Sequence, residues 1–206
     1  MGGEPRRRHR VSLGRDLEEL MKITSTDIIS GLKVRYKQPI WVTFPEMRCG
    51  TGYGKRSEQR IDLWAINTQP HQGCPRLAFE IKVDRQDFLN ELKDPLKRRG
   101  ALLLSNQFFF VTPRDLVKPG EIPLECGLLE MACSSERPEG GGWQNWGNVR
   151  SAVWMREVID APVRETVLPT WKFVASLARR IAREEDAQTC LSTSTPPTSP
   201  LSSAPC

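Results

Sequence analysis

The chain has little of what most metal, membrane or secreted proteins need. It holds only two histidines, His9 and His71, far apart in sequence, and its six cysteines (Cys49, Cys74, Cys126, Cys133, Cys190 and Cys206) form no CxxC pair. That argues against a zinc site and for reduced thiols rather than a disulfide framework. No run approaches the ~18 apolar residues of a membrane span, and the first twenty residues lack the apolar stretch of a secretory signal. The expectation is a soluble, cytoplasmic protein without membrane contact. There is no internal repeat. A strong body charge is missing too. The net charge is +5, and the arm MGGEPRRRHR supplies +3 of it (four Arg less Glu4), which leaves only +2 for the rest. A nucleic-acid-binding protein of this balance makes few phosphate contacts or relies on a partner to load it.

What is present divides the 206 residues into three parts. Residues 1–11 form a basic arm. Residues 187–206 carry no charge, and thirteen of the twenty are Ser, Thr or Pro. Such a tail has too little apolar surface to offset its ordering entropy and reads as disordered. Residues 12–186 hold the folded domain. Leu13, Leu17, Leu20 and Met21 recur at helical spacing. Ser25 or Thr26 can cap a second helix that buries Ile28, Ile29, Leu32 and Tyr36. Strands follow at 40–48, where Pro45 suggests an edge or bulge, at 60–66 and at 77–83. Asp84 caps a short helix with Phe88, Leu89 and Leu92 inward. LKRRGALLL suits another helix, and NQFFFVT suits a strand covered on both faces. CGLLEM (126–131) and SAVWMREVI (151–159) supply further strands. A closing helix places Trp171, Val174, Leu177, Ala178 and Ile181 on one face. Helices, strands and a closing helix in this order predict a single α/β domain with a mixed sheet.

Two of the strands contain charges where apolar residues belong. With period-two alternation, Leu77, Phe79, Ile81 and Val83 share one face, and Ala78, Glu80 and Lys82 the other. In RIDLWAI, Ile61, Leu63 and Ala65 share a face, while Asp62 falls with Trp64 and Ile66. A Glu-x-Lys on a strand is, by itself, the mark of a solvated sheet face. The combination with Asp62 on a neighbouring strand is different, because it brings two carboxylates and one ammonium together. Two carboxylates suit Mg²⁺, with Mn²⁺ as a substitute. Such a cation stabilises charge on a phosphate, and a lysine beside it orients the attacking water. Glu46 on the preceding strand adds a further carboxylate. These groups suit phosphodiester hydrolysis.

Asp62 followed by Glu80-Ile81-Lys82 matches the PD-(D/E)XK nuclease signature. The wider set is more specific: Thr26-Asp27-Ile28, Glu46-x-Arg48, Arg60-x-Asp62, the run EIKVDRQDFLNELKDP, Phe110-Val111-Thr112-Pro113 and Pro123-x-x-x-Gly127-Leu128-Leu129. Together they resemble the MmcB-related DNA repair group of that superfamily over about residues 24–131. The resemblance implies a restriction-endonuclease-like core, a central mixed β-sheet flanked by helices. It also implies a Mg²⁺-dependent DNA endonuclease acting in repair or on mobile-element or phage DNA. Asp62, Glu80 and the Ile81 carbonyl are then the metal ligands, Lys82 positions the water, and Glu46 is the extra acidic residue. Lys55, Arg60, Arg85 and Lys93 are the expected DNA contacts, and a loading protein or a homodimer the expected partner. Asp84 departs from the pattern, where a serine is expected. The alternative is a catalytically silent nuclease fold that binds DNA. GTGYGK lacks the Lys-Ser/Thr order of a phosphate loop and reads as a turn. Trp143 and Trp146 are suited either to stacking on bases or to covering the sheet.

Overall fold

Thr24 starts the first described helix, α1 (Ser25–Arg35), one residue before the expected caps. The reason is Asp27. The Thr24 hydroxyl accepts the Asp27 N–H at 3.2 Å, and the Asp27 carboxylate accepts the Thr24 N–H at 2.9 Å, so two otherwise unpaired donors are satisfied reciprocally. A computed structural model describes residues 23–49, 59–134, 137–146 and 153–192, and the side chains of 184–192 are not described. The basic arm, the helix expected around Leu13–Met21, the GTGYGK turn with Lys55, and residues 193–206 lie outside the described residues.

Seven strands form one sheet: β1 (Trp41–Arg48), β2 (Arg60–Asn67), β3 (Arg76–Ile81), β4 (Gln107–Pro113), β5 (Gly127–Cys133), β6 (Gln144–Asn145) and β7 (Val153–Ile159). Their spatial order is β1-β2-β3-β4-β5-β7-β6. The centre, β3-β4-β5, is parallel, and the strands on either side are antiparallel. A parallel step needs a crossover. Between β3 and β4 it is made by α2 (Arg85–Leu92), a 3-10 turn (Pro95–Arg98) and α3 (Arg99–Leu104). The closing helix is α4 (Trp171–Ser192), which runs past the expected boundary at 186.

Both sheet faces are covered. On one, Ile28, Leu32 and Tyr36 of α1 pack with Leu63, Phe79, Phe109, Val111 and Leu129. On the other, Phe88 of α2, Ala101 of α3 and Phe173 of α4 pack with Phe44, Trp64, Phe108, Phe110 and Leu128. The FFF run therefore serves both cores by alternation, as its continuous apolarity predicts. The architecture is an α/β domain with a mixed sheet flanked by helices.

Three expectations need correction. The buried stripe of α4 is Phe173, edge-on to Trp64 at 5.5 Å, with Leu177 beside it. Trp171, Val174 and Ile181 point outward, because a helix meets a sheet along one narrow i, i+4 stripe and Phe173 occupies it. Ile61 packs with Trp64 rather than with Leu63 and Ala65, so β2 changes phase between positions 61 and 64. Trp143 is not a free stacking platform. It is buried, its ring lies 4.7 Å from the Arg156 guanidinium, and its N–H donates to the Glu139 carbonyl. Trp146 likewise packs on the α1-side core, the second of the two alternatives. Gly140 and Gly142, both at positive φ, let this segment fold back onto the sheet edge.

Candidate metal centre

The sheet register brings the acidic residues into one row. β1 pairs β2 with Pro45 opposite Leu63 and Met47 opposite Ile61, which sets Glu46 against Asp62. β2 pairs β3 with Leu63 opposite Phe79, which sets Asp62 against Glu80 on the next rung. Three carboxylates from three adjacent strands thus share one line across the sheet. The ladders break along it. Glu46 has φ 53°, a left-handed conformation rare for a residue with a side chain. The phase change of β2 falls at the same rung. At the opened edge the Asp62 carboxylate accepts the Ile81 N–H at 2.8 Å, taking a donor beyond the last paired rung of β2 and β3.

β3 ends at Ile81, and Lys82 follows with its N–H on the Val111 carbonyl at 3.0 Å. Its Nζ lies 2.8 Å from Glu80 Oε1 and 3.6 Å from Glu91 Oε2. Glu91 comes from α2. Asp84 caps that helix by accepting the Gln86 and Asp87 N–H groups at 2.8 and 3.0 Å, the cap that its place in the sequence predicts. Two turns on, Phe88 and Glu91 share its buried side. Glu91 is the site residue that sequence reasoning passed over. Its signal was available, as a carboxylate three residues after an inward phenylalanine on an amphipathic helix.

Asp62, Glu80 and Glu91 together face one ammonium, and two of the three carboxylates, Asp62 and Glu80, titrate above their usual range. Burial, with the Asp62 charge beside it, pushes the Glu80 carboxyl up to about 7, and Lys82 and its hydrogen bond do not offset this. Burial likewise raises Asp62, against the opposing pull of the Ile81 N–H and Lys82. Burial acts to lower Lys82, but Glu80, Glu91 and Asp62 outweigh it and hold the ammonium above its usual range.

The sign of the resulting pH dependence follows. From the ordinary Glu range up to about 7, native Glu80 keeps a proton that the unfolded chain has released, so the metal-free fold loses stability as pH rises through that window. Asp62 adds in the same sense. Lys82 contributes in full below the ordinary lysine range, and its share is lost only at more alkaline pH. Calorimetry in a chelator is expected to show Tm falling between about pH 5 and pH 7.5, with Glu80→Gln flattening the slope. An unchanged slope in that variant refutes the assignment.

A cavity of about 410 Å³ opens onto Glu80 and Glu91, walled by Gln59, Arg60, Asp94, Leu96 and Lys97. Of the expected DNA contacts, Arg60 is there, bonded to Glu46 at 3.0 Å. Lys97 is there too. Arg85 does not line this cavity and is paired elsewhere. It clasps Glu121 with both guanidinium nitrogens, one at 2.7 Å, and lies over Phe88. Its hydrogen bond holds Glu121 down at about 2. Lys93 bonds Asn90 and does not line the cavity.

Among the described residues no group of three or more His, Cys, Asp or Glu side chains is arranged to hold a metal ion. The donor chemistry nevertheless fits a hard divalent cation, which commonly takes only one or two protein carboxylates and keeps its waters. Asp62 and Glu80 are half-buried oxygen donors with more negative charge around them than Lys82 neutralises, and charge withdrawn from water in this way favours a counter-ion. Compared with protein-family models, with curated proteins and with solved structures, the chain matches none.

Proposed function

We propose that the chain is a divalent-metal-dependent DNA nuclease with a restriction-endonuclease-like core, hydrolysing phosphodiester bonds in DNA repair or in the processing of mobile-element or phage DNA. The observation that carries this reading is the buried Glu80–Lys82 pair at 2.8 Å, with Asp62 on the adjoining rung and an open cavity in front of it. A solvated Glu-x-Lys pair has no reason to be buried beside two further carboxylates. Asp62 and Glu80 would hold Mg²⁺ or Mn²⁺, with the Ile81 carbonyl adjoining. When bound, the cation supplies charge stabilisation at a phosphoryl oxygen. Lys82 orients the attacking water and offsets charge that grows in the transition state. Arg60 and Lys97 on the cavity wall contact backbone phosphates, and Glu46 keeps Arg60 at the rim.

The test is incubation of linear, nicked and branched DNA with Mg²⁺ or Mn²⁺, beside Asp62→Asn. The asparagine retains an oxygen for the Ile81 N–H, so the strand edge survives while the charge is lost. Metal-dependent cutting by the wild type that Asp62→Asn reduces at least ~100-fold is the expected result. DNA binding without cutting on every substrate would replace this reading with the silent binding module.

A further inference from the structure

Lys82 has two carboxylates within ion-pair range, and they come from different elements. Glu80 stands two residues away on the same edge of the sheet. Glu91 reaches in from α2, its side chain only 8% exposed, with its Oε2 3.6 Å from Lys82 Nζ. Glu80 cannot serve a cation and continue to neutralise Lys82 fully. If Glu80 were the sole counter-ion, its turn toward a metal would leave a buried ammonium unpaired, and that cost would be charged against metal binding. Glu91 removes the difficulty, because it is already within ion-pair range and is anchored on a helix rather than on the metal-binding strand. Its position is fixed from behind, where Arg98 Nη1 donates to the Glu91 carbonyl at 3.1 Å.

We infer that Glu91 is a positioning residue: it holds the Lys82 ammonium when Glu80 turns to a divalent cation. The inference rests on the nuclease reading for the identity of the cation site, but it concerns a residue that reading does not use. Glu91 acts on Lys82, not on the metal. Partners of metal ligands that act in this indirect way change metal affinity about 10- to 100-fold when removed.

The experiment is a double-mutant cycle on the full chain, with Mn²⁺ alone as the probe and its free concentration followed by electron paramagnetic resonance. Wild type, Glu91→Gln, Lys82→Met and the double variant are compared, with circular dichroism to verify folding. Glu91→Gln is expected to weaken Mn²⁺ binding about tenfold when Lys82 is present. In the Lys82→Met background the same change is expected to cost less than about threefold, because there is no ammonium left to hold. Glu91→Asp keeps the charge on a shorter arm and is expected to fall between wild type and Glu91→Gln, which gives a second reading should the glutamine variant fold poorly. Equal losses in both backgrounds overturn the inference, since Glu91 would then act on the cation directly. Unchanged affinity in Glu91→Gln also overturns it while leaving the metal site in place. A wild type that binds no Mn²⁺ overturns the inference and the nuclease reading together.

Discussion

Lys82→Met is expected to lower DNA cleavage about 10²–10³-fold while Mn²⁺ binds at least as tightly as in the wild type. The two halves of this result come from one arrangement. Lys82 is the only cation that the described structure pairs with Glu80 and Glu91, at 2.8 and 3.6 Å. Removing it takes away the group that, in the proposed reaction, orients water and offsets developing charge. It also frees both carboxylates from an ammonium that competes with a metal for them. The metal-free variant therefore has one buried and two half-buried carboxylates without their ammonium, and it meets that cost by taking up protons or a cation. Lys82→Ala would confuse the outcome by adding a cavity, whereas methionine preserves the length of the stem. The measurement is single-turnover cleavage at saturating Mg²⁺ alongside Mn²⁺ titration. Cleavage within about threefold of wild type would remove Lys82 from the chemistry. Loss of Mn²⁺ binding would mean that Lys82 serves to hold the site together rather than to act in it.

The parts of this centre that the sequence displayed are those governed by local periodicity. Alternation in RIDLWAI and LAFEIKV flagged Asp62, Glu80 and Lys82 because a charge inside an apolar strand is conspicuous at period two. The FFF run, the edge position of the Pro45 strand and the Asp84 cap are local in the same sense. The row Glu46–Asp62–Glu80 was not legible, because it depends on register between strands separated by loops, and register is set by pairing rather than by either strand alone. The phase change at Asp62 is hidden for the same reason. Periodicity assigned Ile61 to the face of Leu63, whereas the left-handed Glu46 opposite and the broken ladder return it to the face of Trp64. The pairing of Arg85 was not legible because its partner, Glu121, lies 36 residues away, and a cation looks free when its counter-ion is remote in sequence. On α4 the sequence offers two apolar stripes. Packing against Trp64 selects Phe173 over the exposed Trp171.

The second large effect is expected at Arg98, outside the row of carboxylates. This side chain is only 4% exposed as a residue, an unusual place for a guanidinium. Nη1 donates to the Glu91 carbonyl at 3.1 Å, Nη2 lies 3.4 Å from Glu125 Oε1, and the guanidinium sits over the Phe110 ring at 5.8 Å. It therefore supplies a further donor, beside the Asp94 N–H at 3.3 Å, to a carbonyl at the C-terminal end of α2, where the helix dipole favours positive charge. Arg98→Ala loses that charge-assisted bond and the packing on Phe110, and the expected cost is about 3 kcal/mol in urea unfolding. Arg98→Met restores the packing without the donor and is expected to recover roughly half of it. The consequence extends to the proposed cation site, because the residue whose carbonyl loses the Arg98 donor, while keeping the Asp94 N–H at 3.3 Å, is the one that faces Lys82. Mn²⁺ binding by Arg98→Met should weaken in the same direction as in Glu91→Gln, though no atom of Arg98 touches the carboxylates. If Arg98→Ala unfolds within about 0.5 kcal/mol of wild type, the guanidinium is not the anchor of α2, and the placement of Glu91 must then come from Phe88 and the Asp84 cap alone.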